Sequence, residues 1–344
     1  MKVKSESDFS GVTVLHVGIV GPFPGGMAQV VNGYLNWNFK RTKVSAVCSS
    51  SGKHDYWMAA KFIWCLLVLV RFRLNYSKRL VVVHLSERGS FVREGALVLV
   101  SRILGLSVVG HLHGANFVEF AQDYRWLVRH VLSMCNSVFV LTDETQSAVV
   151  NLGMHDVRLI SNCVSIPDKE FTKEKILLFG GELSFRKGVD VLLEAWKIAD
   201  RTDWKLVLAG PINSEIDRKT LCIDSVEFLG PVPHDRLLEL QESAAIAILP
   251  SRDEALPMFL IESMARACAV ISCDVGQIAA LLDSGGGVIC EPGSVSDLVV
   301  AIEELASIEV SSVIGMKAYE TVKSRYDAAT VLCNVEKEWV DLAC

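Results

Sequence analysis

No apolar run in the 344 residues is long enough to cross a bilayer. The strongest, Phe62–Val70, is less than half of the roughly 20 residues a spanning helix needs. Met1 to Ser10 is polar and charged with no apolar core, which argues against a secretory signal. The ten cysteines contain no CxxC and no pair at zinc-finger spacing. Several sit inside apolar strand-like runs, where a free thiol behaves as a small hydrophobe, so the expectation is a reducing, cytosolic compartment. The glycine-rich stretch Gly18–Gly26 is neither G-x-G-x-x-G nor a Walker loop, which weakens a dehydrogenase or NTPase reading. No Asp-x-Asp occurs, so no acidic pair of that kind offers to hold a divalent ion. No Cys or acidic cluster accompanies His111 and His113 at metal-site spacing, so no zinc centre is expected.

What is present points to a large core. Apolar residues make up 51% and charged residues 22%, and the length favours two domains. The net charge of −6 hides an asymmetry: 17 Lys and Arg stand against 10 Asp and Glu through residue 165, and 17 against 30 beyond it. A basic half and an acidic half argue for different partners.

Short apolar runs alternate with helix-like segments along the whole chain, as in a doubly wound parallel sheet. In the first half, strands are expected at Val12–Val17, Val44–Cys48, Leu80–Leu85, Val108–Leu112, Ser137–Leu141 and Val157–Ile160. Helices are expected at Met27–Leu35, Tyr56–Leu74, Phe91–Leu104 and Asp123–Met134, with Thr142 capping a further one. The segment Tyr56–Leu74 is apolar with flanking Lys61, Arg71 and Arg73. Two readings stay open: a buried core helix with basic ends, or a helix lying on an anionic membrane surface. In the second half, strands are expected at Lys175–Phe179, Lys205–Ala209, Val226–Leu229, Ala244–Leu249, Ala269–Ser272 and Val288–Cys290. The helices between and after them are Val189–Ala199, Ser214–Leu221, Asp235–Glu242, Met258–Ala267, Gln277–Leu282, Ser294–Leu305 and Ala328–Leu342. Pro167–Lys175, polar and charged, reads as a linker.

The sharpest stretch is Pro250-Ser251-Arg252-Asp253-Glu254-Ala255-Leu256-Pro257. It follows the buried-strand run Ala244–Leu249, and Pro257 suits the first turn of a helix. Ser251–Glu254 therefore lies at the C-terminal end of a parallel strand, where open α/β sheets bind ligands. The N–H groups at a helix start beside it suit a phosphate. Glu254 and Glu262, eight residues apart, can each accept two hydroxyl donors. A phosphate between two polyols, as in a nucleotide sugar, fits that set. Two surface carboxylates are the plainer reading.

Pro-Ser-x-x-Glu-x7-Glu with Met-Ala after it resembles the signature of retaining glycosyltransferases of the GT-B fold, family four. Gly180-Gly181-Glu182-Leu183 with Lys187-Gly188-Val189-Asp190 resembles that family's Gly-Arg-Leu and Lys-Gly-Val-Asp, with Glu182 where the family has Arg. Gly25-Gly26-Met27-Ala28 resembles its first loop, and His113-Gly114 its His-Gly. Asn162-Cys163-Val164 resembles its Asn-Gly-Val, with Cys for Gly.

The resemblance implies an α/β protein of two doubly wound Rossmann-like domains facing across a cleft: residues 1–166 on the acceptor side, 167–327 binding the nucleotide sugar, and a helix at 328–344 returning to the first domain. It implies a metal-independent retaining hexosyltransferase using a nucleotide-diphosphate sugar. The acceptor would be a saccharide or lipid-linked saccharide in cell-surface polysaccharide or lipopolysaccharide synthesis. Glu254 would face the donor sugar, Glu262 the ribose, and His113 with Gly25 and Gly26 the acceptor side. Arg186, Lys187 and the helix start at Pro257, Met258 and Phe259 would hold the diphosphate. No metal or other cofactor and no nucleic-acid partner is expected. The location would be cytoplasmic, with peripheral contact to the inner membrane face through the basic first domain. Double displacement and front-face departure both stay open. So do two rivals: a catalytically silent binding subunit, and an epimerase or hydrolase acting on sugar nucleotides with the same fold.

Overall fold

Among the described residues, twelve strands form two separate six-stranded sheets, every pairing parallel. The structure is a computed structural model that describes residues 11–21, 26–50, 58–114 and 116–343. The chain divides into two compact units, Met1–Ser161 with Ala329–Cys344, and Asn162–Ala328.

In the first unit the strands are β1 (Val12–Gly18), β2 (Thr42–Cys48), β3 (Arg79–Leu85), β4 (Ser107–Leu112), β5 (Ser137–Val140) and β6 (Val157–Leu159). Their order is β2-β1-β3-β4-β5-β6. The crossovers carry α1 (Gly26–Asn36), α2 (Met58–Asn75), α3 (Arg88–Ile103), α4 (Phe117–Asp123), α5 (Arg125–Ser133) and α6 (Asp143–Asn151). The strands are apolar on both faces because helices cover both, so they read as runs rather than alternations. Val14, Val17, Leu80, Val81 and Val83 are fully buried.

In the second unit β7 (Glu174–Gly180), β8 (Lys205–Ala209), β9 (Val226–Gly230), β10 (Ala244–Leu249), β11 (Ala269–Cys273) and β12 (Gly287–Cys290) lie in the order β12-β11-β10-β7-β8-β9. Helices α7 (Val189–Ile198), α8 (His234–Ser243), α9 (Met258–Met264), α10 (Ile278–Leu282), α11 (Val295–Leu305) and α12 (Ile308–Arg325) accompany them. The last helix, α13 (Ala328–Leu342), packs in the first unit. There Glu336 accepts hydrogen bonds from the Arg41 and Thr42 backbone N–H groups at 2.6 and 2.9 Å and from the Thr42 hydroxyl at 2.6 Å.

Two expectations need correction and one element was missed. Ser214–Leu221 is not a helix: only Arg218–Leu221 makes a 3-10 turn. Asn213 and Asp217 accept hydrogen bonds from Glu215 N and Lys219 N, local bonds that compete with the helical ladder. Asp123–Met134 is shorter than expected: it is α5, Arg125–Ser133, while Asp123 ends α4 and Tyr124 separates the two. Helix α12 was not foreseen. It packs on β10 and β11, and its buried residues, Ser311, Gly315, Ala318, Thr321 and Val322, are mostly small, so little of an apolar stripe announces it.

Among the described residues no helix is long and apolar enough to cross a membrane. Helix α2 is neither wholly buried nor wholly polar. It buries Cys65, Leu69 and Phe72 and exposes Ile63, Trp64, Leu67, Val70 and Leu74. Among the described cysteines all are free.

Candidate functional site

Both sheets change direction once. The switch lies between β1 and β3 in the first unit and between β7 and β10 in the second, and open α/β sheets bind ligands at the C-terminal strand ends beside such a point. The candidate residues gather at these two places.

In the second unit the loop after β7 carries Arg186 and Lys187, and the loop after β10 carries Ser251–Glu254. The two are locked together. Gly188 sits at φ 70°, and a Cβ there would stand 1.9 Å from the Pro250 carbonyl oxygen, so only glycine fits. Arg252 N donates to Arg186 O at 2.9 Å, and Arg186 Nη1 donates to Asp253 O at 3.0 Å. Arg252 forks onto both oxygens of Asp190 at 2.8 Å, which raises its pKa further. At the centre Lys187 Nζ pairs with Glu254 Oε1, which also accepts from Ser251 Oγ at 2.8 Å. The Lys187 and Glu254 side chains are only 15% and 10% exposed, so the attraction is weakly screened. Glu182 is exposed with no partner among the described residues, two residues from the start of this loop's polar part.

Glu262 is buried on α9, and its Oε1 lies 2.9 Å from His234 Nε2 at the start of α8. That hydrogen bond raises the His234 pKa against the opposing effect of burial. Pro257 and Met258 begin α9. The Phe259 side chain points into the core, so only its backbone can face a ligand. Helix α9 is seven residues, shorter than Met258–Ala267, and ends where Ala267 turns to φ 55°. Sequence reasoning missed His234 as the partner of Glu262, and Ser251 as the partner of Glu254. Ser251 stands inside the quoted motif and could have been named. Asn162, named only for its motif, has a role the sequence did not show: its Nδ2 donates to Leu256 O at 3.0 Å and steadies the loop that carries Glu254.

In the first unit Gly26 opens α1, and Asn32 of that helix bonds Gly21 through both its amide atoms, at 3.2 and 2.9 Å. Gly25 lies outside the described residues. His113 follows β4 and is not alone. His84 on β3 is the register partner of His111 on β4. His16 Nδ1 lies 2.8 Å from His84 Nε2, and His84 Nδ1 lies 2.8 Å from His113 Nε2. Desolvation lowers the His16 and His113 pKa values to about 3, and those of His84 and His111 well below 6.5. All four imidazoles are neutral near pH 7. His84, His111 and His113 each offer a ring nitrogen within 4.8 Å of the others, a grouping able to hold a metal ion. Spacing along the chain could not supply His84, 27 residues before His111.

Residues 165–321 match the family described as Glycosyl transferases group 1. An uncharacterized glycosyltransferase of Haemophilus influenzae is 30% identical over 253 residues, 68% of this chain and 71% of that protein. The alpha-D-kanosaminyltransferase of Streptomyces kanamyceticus is 24% identical over 285 residues, covering 72% and 73%. Among solved structures, Anabaena Alr3699/HepE in complex with UDP-glucose superposes with a TM-score of 0.72 at 14% identity, over 95% of this chain and 98% of that one. At that identity the likeness shows the fold, which is the GT-B type. Two parallel Rossmann-like sheets, the loop motif at the β7/β10 switch point and the Haemophilus relative together show that the chain belongs to the group 1 glycosyl transferases.

Proposed function

We propose that the chain is a retaining hexosyltransferase of family four, using a nucleotide-diphosphate sugar and a saccharide or lipid-linked saccharide acceptor. The observation that carries this is the Lys187–Glu254–Ser251 cluster with Arg186 tied to the same loop. Lys187 and Arg186 would face the diphosphate, and the backbone N–H groups of Met258 and Phe259, just after Pro257, would lie alongside. Glu254 would accept from the hexose hydroxyls and Glu262 from the ribose. In the transfer, the bond from the anomeric carbon to the diphosphate oxygen breaks and its electron pair leaves with the diphosphate. A bond to the acceptor oxygen forms as that hydroxyl loses its proton. Charge then grows on the leaving diphosphate, and the fixed cations Lys187 and Arg186 meet it in place of a metal ion or other cofactor. His113 and the loop through Gly25 and Gly26 would line the acceptor side. UDP-glucose in the Anabaena neighbour supports the donor class.

The lipid-linked acceptor is favoured by α2 and α3. Ile63, Trp64, Leu67 and Leu74 form an exposed stripe on α2 beside Arg71 and Arg73, and Val92, Leu99 and Ile103 are exposed on α3, which packs against it. An apolar stripe with basic residues in a unit of positive charge suits an anionic lipid surface. The reading places the enzyme at the inner face of the cytoplasmic membrane, in cell-surface polysaccharide synthesis.

The test is thermal stabilisation by UDP-, GDP-, ADP- and CMP-sugars, on the wild type and on Glu262→Ala. A ligand at 100 times its Kd should add about 2.7 kcal/mol. A shift with one nucleotide class, diminished in the variant, is expected. No shift with any class overturns the donor site. Donor binding without transfer to any saccharide acceptor supports a silent binding subunit, and donor turnover without acceptor supports an epimerase or hydrolase.

A further inference from the structure

The histidines of the first unit form a chain with a definite order. His16 Nδ1 meets His84 Nε2, and His84 Nδ1 meets His113 Nε2, each at 2.8 Å. Each contact needs one proton between two nitrogens. A neutral imidazole carries only one N–H, so the protons must all sit in the same sense along the chain. Two arrangements satisfy this. In one, His16, His84 and His113 are all protonated on Nδ1, and each of the first two donates to the next. In the other, all three are protonated on Nε2 and donation runs backwards.

The buried end decides between them. His16 Nε2 is buried without a partner, and so is the indole N–H of Trp339, whose ring stands edge-on to His16 at 5.1 Å between centroids. The second arrangement puts an N–H at His16 Nε2, a buried atom with no acceptor among the described residues. Orphaned buried N–H groups are rare because their desolvation is not recovered. The first arrangement leaves only a bare lone pair there, the lesser cost.

We infer that His16 and His84 hold His113 as the neutral tautomer protonated on Nδ1, so that it meets a ligand as a hydrogen-bond donor. The ligand atom it suits is an oxygen with a free lone pair, such as a sugar hydroxyl or a carboxylate. His113 does not act as the base that removes the acceptor proton, because its lone pair is occupied by His84. His16 and His84 are positioning residues. This use of the donor rests on the proposed transferase reading; the tautomer itself does not. The same rings could instead gather a divalent ion. Against that, the facing nitrogens of His84 and His113 stand at hydrogen-bond distance. Two nitrogens on one tetrahedral zinc, at about 2.0–2.1 Å from it, would be roughly 3.3 Å apart.

The test is the nitrogen spectrum of the full chain labelled with 15N-histidine, without substrate, at neutral pH. His113 should show a protonated Nδ1 and a bare Nε2, unchanged on acidification towards pH 5. His16→Phe keeps the ring against Tyr34 and Trp339 but removes the donor to His84. His113 should then become a mixture of tautomers, and kcat/KM for transfer should fall about five-fold, the scale of one neutral hydrogen bond. Three results would overturn the inference: Nε2–H on His113 in the wild type, an unchanged His113 tautomer in His16→Phe, or stoichiometric zinc in the purified protein with His84 among its ligands. The spectrum is read without donor or acceptor, so its failure leaves the transferase reading standing. Absence of donor binding would sink that reading and leave the tautomer untouched.

Discussion

The two strand-end clusters differ in kind. At the β7/β10 switch point the polar groups are ions, paired across two loops: Lys187 with Glu254 and Arg252 with Asp190. At the β1/β3 switch point they are neutral imidazoles bonded to one another inside the sheet. Ions on loops can be drawn to a diphosphate with little rearrangement of the sheet. Neutral rings fixed on strands cannot follow a ligand, but they can hold one donor in one direction. In the proposed transferase, charge recognition would fall to the second unit and hydroxyl recognition to the first.

The largest break in that contrast should come from Lys187→Ala. Removing one preorganised donor from a site of developing negative charge lowers the rate about 10²–10³-fold. The loss should appear in kcat/KM for transfer, with Lys187→Arg recovering part of it. Were the chain to transfer sugar as well without Lys187, the diphosphate would lie elsewhere. Gly188→Ala should act through the fold that brings the loops together. A Cβ would meet the Pro250 carbonyl at 1.9 Å from a left-handed backbone. About 3 kcal/mol or more of stability should go, read from the urea midpoint. The same substitution at Gly33, where a Cβ would meet nothing within 4 Å, should be near neutral or slightly stabilising.

The second unit was the more legible of the two for the same reason. Glu254, Glu262, Arg186 and Lys187 sit on loops and a helix start bounded by proline and glycine, and such turns mark themselves in sequence. Strand existence was also plain, because a strand buried on both faces is a short apolar run. What could not be read was side-chain company across strands. His84 meets His113 only because β3 and β4 pair with His84 opposite His111, and register between parallel strands has no local signature. Helix α12 was hidden differently. Apart from Val322, its buried face is built of serine, glycine, alanine and threonine, which fit against the sheet by smallness rather than by apolarity.

A smaller effect tests whether the first unit also meets lipid. Leu67→Glu, in the middle of the exposed α2 stripe, should weaken co-sedimentation with vesicles containing anionic lipid by about tenfold, from about 1–2 kcal/mol of apolar contact and charge repulsion. Stabilisation by the nucleotide sugar should not change. Equal sedimentation of the two proteins would remove the membrane from the proposal while leaving donor chemistry in place.

The smallest effect lies in the one pair of the second unit that contains an imidazole. His234 has its pKa raised by the hydrogen bond to Glu262, unlike the clustered histidines of the first unit, His16, His84, His111 and His113, which burial lowers. A group whose pKa is higher folded than unfolded binds a proton more tightly in the folded state. Its contribution is fully present below the unfolded value of 6.5 and fades as pH rises through the folded value. Glu262→Gln removes the charge that raises it. The wild type should therefore exceed the variant in urea midpoint by most on the acid side of 6.5, and the gap should narrow in mildly alkaline solution. The His234 side chain is 42% exposed, so solvent screens the pair and the change is a few tenths of a kcal/mol, on the order of a surface ion pair. Titrating the His16→Phe variant over the same range gives the contrast its control. His16, His84, His111 and His113 stay neutral throughout, so that variant should differ from wild type by an amount independent of pH. A midpoint gap for Glu262→Gln that is equally flat would mean that His234 is neutral beside Glu262, and that the second unit's chemistry is less ionic than its loops suggest.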